Sequence, residues 1–220
     1  MRELLVGAAL DALATLLPID CGGCGSPDRA LCSACRAGLA AQPSLHELAD
    51  GTPVVSALRY EGVVRHAILA YKEQGRTDLA RVLSTPMLAA VECAARVTMT
   101  GQDGRCELCT VPPHGEAWRR RGYRPVELML RSAGLGAVNV LEQVGTHGDQ
   151  KSLGRLAREQ NLGGSLRARR ALTGRRFIAV DDILTTGATL AEVARAVREA
   201  GGELVCCATL AFTPRLFPRI

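Results

Sequence analysis

The sequence predicts an α/β fold, a doubly wound and mainly parallel sheet with helices on both faces, preceded by a small cysteine-rich module. Three observations carry this reading. From residue 52 onward, short strand-like apolar runs alternate with helical patterns. The run Phe177, Ile178, Ala179, Val180 is apolar at every position, as a parallel strand covered on both faces must be. Near the start, Cys21, Cys24, Cys32 and Cys35 form two C-x2-C pairs with Gly and Pro between them.

The chain has 220 residues, enough for one ample α/β domain and a small accessory unit. The expected division is residues 1–50 and 51–220. Aromatic residues are only 3% of a chain that is 47% hydrophobic, so the core must be built from Leu, Val, Ile and Ala. The net charge of +5 is uneven. Residues 1–50 hold three arginines against six acids, which leaves the remainder at +8. This suits anionic ligands but is too mild to argue nucleic-acid binding by itself. Nine cysteines with no secretory signal imply a cytoplasmic protein with reduced thiols, and metal rather than disulfides. Residues 1–18 are too short and too interrupted by Glu3 and Asp11 to span a membrane.

Leu4, Leu5, Ala8, Ala9, Ala12, Leu13, Leu16 and Leu17 mark a helix face, which Pro18 stops. Cys21, Cys24, Cys32 and Cys35 then have the spacing of a tetrahedral four-cysteine zinc site. All four positions are filled by protein, so the Zn2+ is structural. The segment has little core of its own and should not fold without metal. Residues 37–51 read as a linker. A strand is expected over 54–60 and helices over 62–74 and 78–97, the second kinked or divided at Pro86. Lys72 falls near the end of the first helix, where spacing alone makes it a solvated cation favoured by the helix dipole. A strand over 106–111 ends at Pro112-Pro113. It sends Cys106 and Cys109 to opposite faces, so these are ordinary thiols.

The loop after this strand holds Arg119-Arg120-Arg121-Gly122-Tyr123, and a helix is expected over 125–133. Three arginines alone would read as a surface patch. At a strand end of an open α/β sheet they read as an anion site. A strand over 138–144 leads into a polar segment with Lys151 and Arg155, which suits a lid bringing cations to a charged centre. The last strand covers 204–212.

Between lies the most informative stretch, Val180-Asp181-Asp182-Ile183-Leu184-Thr185-Thr186-Gly187-Ala188-Thr189. A buried strand gives way to two acids, then a hydroxyl-rich turn, then a helix. Backbone N–H groups at such a helix start favour an anion, and Gly187 allows close approach. Paired carboxylates beside an anion site make sense if they accept from vicinal hydroxyls with a metal ion nearby. A sugar phosphate satisfies both halves.

This stretch resembles the 5-phosphoribosyl-1-pyrophosphate (PRPP) signature of type I phosphoribosyltransferases. With the four-cysteine knuckle, Arg119 to Tyr123, and Gln150-Lys151-Ser152-Leu153-Gly154-Arg155, the whole chain resembles the ComF family, amidophosphoribosyltransferase-like proteins linked to DNA uptake in competent bacteria. The resemblance implies the type I phosphoribosyltransferase fold. Asp181 and Asp182 would bind the ribose hydroxyls, and Thr185, Thr186, Gly187, Ala188 and Thr189 the 5-phosphate. Arg119, Arg120, Arg121 and Gly122 would bind pyrophosphate. Lys151, Arg155 and Arg121 would serve catalysis, Mg2+ would be the cofactor, and the family's Tyr-Lys pair makes Lys72 a phosphate contact. Two departures bear on the acceptor. Family members more often carry Asn-Gln where this chain has Arg124-Pro125, and purine-salvage relatives carry a carboxylate at Thr185, so a 6-oxopurine is disfavoured. The implied activity is phosphoribosyl transfer to another nitrogen acceptor. The competing reading is an adaptor that binds PRPP without catalysis, or binds single-stranded DNA or a DNA-uptake helicase. Low aromatic content weighs against base stacking.

Overall fold

A computed structural model describes residues 19–27, 30–98, 105–113, 121–144 and 163–214. The expected N-terminal helix, the segment 145–162, and Arg119, Arg120, Lys151 and Arg155 lie outside these residues. The described elements are α1 (Ser33–Ala37), β1 (Ser44–Glu47), β2 (Pro53–Arg59), α2 (Gly62–Glu73), a 3-10 turn (Thr77–Leu79), α3 (Ala80–Thr98), β3 (Cys106–Thr110), α4 (Pro125–Ser132), β4 (Leu141–Gln143), β5 (Leu166–Ala168), β6 (Arg176–Leu184), α5 (Ala188–Glu199) and β7 (Glu203–Phe212).

Five strands form the main sheet in the order β1-β2-β7-β6-β3, parallel throughout except for β1. Alternate residues serve opposite faces. Ile178, Val180, Cys206 and Val55 belong to a core under α2, α3 and α4, while Phe177, Ala179, Cys207 and Val54 belong to a second core under α5. Helices therefore cover both faces, as the apolar pattern of Phe177 to Val180 requires. The two thiols of β3 divide the same way, with Cys109 in the α5 core and Cys106 against the other. Among the described residues, no helix is long and apolar enough to cross a membrane.

Four expectations need correction. Residues 37–51 are not a plain linker, because β1 pairs with β2 from Ser44↔Ser56 to Glu47↔Pro53, so the expected boundary at residue 50 falls between two paired strands. Pro86 does not divide α3. The helix continues to Thr98 with Leu83, Met87, Ala90 and Ala94 fully buried, and that packing outweighs the one hydrogen bond that proline removes. Among the described residues, the 138–144 run pairs with the main sheet through a bridge from Val138 to Cys109. It then leaves, and Leu141–Gln143 pairs antiparallel with β5 in a separate two-stranded sheet. Finally, β6 does not end at the acids but runs through Asp181 and Asp182 to Leu184.

Candidate functional site

The site lies beyond the C-terminal ends of β3 and β6. A cavity of about 220 Å³ is lined by Lys72 of α2, Thr110 at the end of β3 and Val111 to Pro113 beyond it, Arg121, the start of α4 from Arg124 to Glu127, and Asp181, Asp182 and Thr189. Ligands of open parallel sheets gather at this end, because each strand there hands its chain to a loop and then to a helix start.

Asp181 and Asp182 are presented by the strand, and successive side chains of a strand diverge. The Asp182 N–H donates to Asp181 Oδ1 at 2.8 Å. Burial pushes the Asp181 carboxyl up to about 7, and the neighbouring Asp182 charge adds to this, against the N–H donor and Lys72. Lys72 Nζ stands 2.6 Å from Asp182 Oδ2, and both side chains are about four-fifths shielded. Burial works to lower the Lys72 ammonium, but Asp182 outweighs it and holds the group above its ordinary value. Thr185 and Thr186 form the exposed turn that follows. Gly187 caps α5 in the left-handed region at φ +79°, which a residue with Cβ would adopt only with strain. The Ala188 N–H donates weakly to Thr186 Oγ1 at 3.4 Å. The next N–H groups of the first turn have no partner inside the helix and face the strand end with the positive pole of the dipole.

The opposite wall is fastened by two tyrosines. The Tyr71 hydroxyl donates to the Pro125 carbonyl at 2.8 Å, and the Tyr123 hydroxyl donates back to the Tyr71 carbonyl. Their rings are 5.7 Å apart. This clamp ties the end of α2 to the loop 121–125, so Lys72 and Arg121 share one wall. Gly122 makes the intervening bend at φ +70°. Arg121 donates to Glu73 Oε1 at 2.6 Å, and its Nε is buried with no hydrogen-bond partner among the described residues. Arg124 Nη1 donates to Glu127 Oε1 at 2.6 Å, one turn into α4.

The cavity thus brings together Lys72, Arg121, Asp181, Asp182 and Thr189 from the sequence reading, with Thr185, Thr186, Gly187, Ala188 and Gly122 in the adjoining turns. Sequence reasoning missed Glu73, the Tyr71–Tyr123 clamp and the Arg124–Glu127 pair. The i,i+3 spacing at a helix start could have signalled the last of these.

The second site is the cysteine cluster. The four thiol sulfurs of Cys21, Cys24, Cys32 and Cys35 all lie within 4.8 Å of one another, and Cys24 and Cys32 are 3.9 Å apart. Four thiolates around one zinc at the usual bond length stand about 3.8 Å apart, so the set is compatible with a zinc site. The Cys32 N–H points at Cys21 Sγ and the Cys35 N–H at Cys32 Sγ, both at 3.4 Å, as for donors serving thiolates.

Residues 120–216 match the phosphoribosyl transferase domain family. The chain is 27% identical over 166 residues to the DNA utilization protein YhgH of Salmonella typhimurium, covering 73% of this chain and 68% of that one, and equally similar to its namesake in Salmonella typhi. Among solved structures, it matches an adenine phosphoribosyltransferase of Thermoanaerobacter pseudethanolicus at 19% identity, covering 60% and 71% of the two chains, with a TM-score of 0.34. It matches that of Leishmania tarentolae at 11% identity, covering 79% and 83%, with a TM-score of 0.37. The domain match, the parallel sheet and the N-terminal cysteine cluster together support the reading of the chain as a ComF-like protein carrying a phosphoribosyl transferase domain at residues 120–216.

Proposed function

We propose that the cavity binds PRPP and that the protein transfers the phosphoribosyl group to a nitrogen acceptor. One observation carries this. Two carboxylates, a threonine-rich helix start and two cations from separate elements meet at a single strand-end cavity. Asp181 and Asp182 would accept from the vicinal hydroxyls. The turn Thr185 to Thr189 would hold the 5-phosphate on its N–H groups and hydroxyls. Arg121, Gly122 and Lys72 would receive the pyrophosphate, with Arg119, Arg120, Lys151 and Arg155 completing its charge shell. The bond from the anomeric carbon to pyrophosphate breaks, a bond to the acceptor nitrogen forms, and that nitrogen releases its proton. The chain's part is positioning and neutralising the leaving charge. Adjacent carboxylates and ligand phosphate oxygens are hard donors that fit Mg2+, held at Asp181 and Asp182, where it would supply further neutralisation. At the cysteine cluster we propose a structural Zn2+.

Calorimetric titration with PRPP and Mg2+ tests the reading, followed by pyrophosphate release with a panel of nitrogen bases. Saturable binding that Asp181→Ala and Asp182→Ala each weaken at least tenfold is expected, because each removes an acceptor for the diol. Binding without turnover on any base would remove the transferase claim and leave a PRPP-binding protein. A second reading, a nucleic-acid-binding adaptor, is favoured by arginines gathered around a few acids on the small sheet and at the N-terminal ends of β3, β6 and β7, away from the cleft. Arg167 and Arg169 share Glu142, Arg175 pairs with Glu107 and Arg176 with Glu203, while Arg105 and Arg170 also act on Glu107. If Asp181→Ala loses PRPP yet retains single-stranded DNA, the two activities are separate. If the wild-type protein binds no DNA, the adaptor loses its support.

A further inference from the structure

Among the described residues, the cations of the cleft are already engaged. Lys72 is held by Asp182, Arg121 by Glu73 and Arg124 by Glu127. Asp182 is also one of the groups assigned above to the ribose hydroxyls, and Lys72 one of those assigned to phosphate. The two assignments compete, because Nζ at 2.6 Å takes acceptor capacity on Oδ2 and crowds the edge of the carboxylate that a diol would use. Neither partner can leave the other alone without cost, since an unpaired ion in so shielded a place loses both hydration and Coulomb energy. The backbone cannot relieve the competition. Tyr71 and Tyr123 lock the end of α2 to the loop 121–125, so exchange must occur by rotation of the lysine side chain. Arg121 points the same way. Its terminal nitrogen is on Glu73 while its buried Nε lacks any acceptor among the described residues, an unmet donor that an incoming anion oxygen would satisfy.

We propose that Lys72 is an exchange cation, which leaves Asp182 for the phosphate of the ligand as the diol takes its place, so that the two ends of one ligand bind cooperatively. The proposal rests on the PRPP reading of the site. It turns the ion pair into a selectivity device. A diol without a pyrophosphate meets a carboxylate still capped by lysine, whereas pyrophosphate alone draws the lysine off and strands Asp182. Only a molecule bearing both groups settles both partners, and the coupling is reciprocal by linkage.

The test uses the two halves as separate probes. Calorimetry on the full chain measures ribose 5-phosphate and pyrophosphate binding, each alone and each in the presence of the other. In the wild-type protein each probe should tighten the other about tenfold. In Lys72→Met the coupling should fall to about onefold, while ribose 5-phosphate alone binds at least as well as before because Asp182 is uncapped. Lys72→Gln is the second neutral variant should Lys72→Met fold poorly, with circular dichroism and melting confirming the fold of whichever is used. Unchanged coupling in a folded neutral variant overturns the exchange role, as does a wild-type protein that binds both probes independently. Binding of neither probe overturns the PRPP reading itself and the exchange with it. These failures are told apart by whether any binding is seen.

Discussion

At Asp181 the proposed function and stability oppose each other. Its carboxyl is held up to about 7 by burial first and by Asp182 second. A carboxylate raised so far above its unfolded value is a cost to the folded state near neutrality. Asn keeps the shape and an acceptor for the Asp182 N–H but removes the charge. Asp181→Asn should therefore raise the melting temperature by several degrees at pH 7.5, on the order of 2 kcal/mol, while weakening PRPP binding. Melting in chelator at pH 7.5, beside a PRPP titration, checks both halves, and a variant no more stable than wild type would contradict the argument. Asp181 was legible in the sequence because two acids, a threonine pair and a glycine fall within the short stretch Asp181 to Gly187. Glu73 and the Tyr71–Tyr123 clamp were not, because their partners are 48 to 54 positions away and local spacing carries no trace of such contacts.

At the scale of elements, legibility followed hydrophobic contrast. Strand β6 and helix α5 stood out because an uninterrupted apolar run meets a glycine turn and then a 3.6-residue pattern. Strand β1 did not. Ser44, Leu45, His46 and Glu47 bury only His46, and an edge strand with one covered side chain has no apolar signature. The small β4–β5 sheet was hidden because an apolar run looks the same whether it enters the main sheet or leaves it. One carboxylate ties that small sheet to the body. Glu192 of α5 is nearly buried, accepts from the Leu166 N–H at 2.8 Å, and pairs with Arg195, which donates to the Leu166 carbonyl at 2.6 Å. Burial would raise the Glu192 carboxyl, but Arg195 and backbone donors outweigh it and hold it below the ordinary value. A depressed carboxylate stabilises above its unfolded value and loses that contribution as pH falls through the folded one. Glu192→Gln should thus lower the melting temperature at pH 7, by roughly 1–2 kcal/mol, with the gap from wild type narrowing below about pH 4. A gap independent of pH would mean that shape, not charge, holds β5 to α5.

Across the whole molecule, the cysteine module and the cleft are joined by one helix. Cys21, Leu31, Cys35 and Leu39 belong to the same buried cluster as Val64, Ala67, Ile68 and Leu79. The contact is at backbone range. A Cβ on Gly22 would stand 2.7 Å from Leu79 Cδ1, and one on Gly23 would stand 3.0 Å from Val63 Cγ1. His66 Nδ1 meets the Gly23 carbonyl at 3.0 Å, and Arg76 donates to the Asp20 carbonyl at 2.8 Å. Helix α2 thus holds the knuckle through Val63, Val64 and His66 near its start and the cleft through Tyr71, Lys72 and Glu73 at its end. If the module were an appendage, stripping zinc would unfold it alone. Because it lines the main core, releasing its thiolates should loosen α2 along its length. Cys24 is the exposed member of the set, so Cys24→Ser removes a ligand with little loss of packing. The expected result is release of bound zinc, one cooperative melt shifted down by about 5 °C or more, and weaker PRPP binding although no cleft residue has changed. A zinc-depleted protein with an unshifted main transition and full PRPP affinity would show that the knuckle and the cleft are energetically independent, and that their shared helix is a matter of connectivity alone.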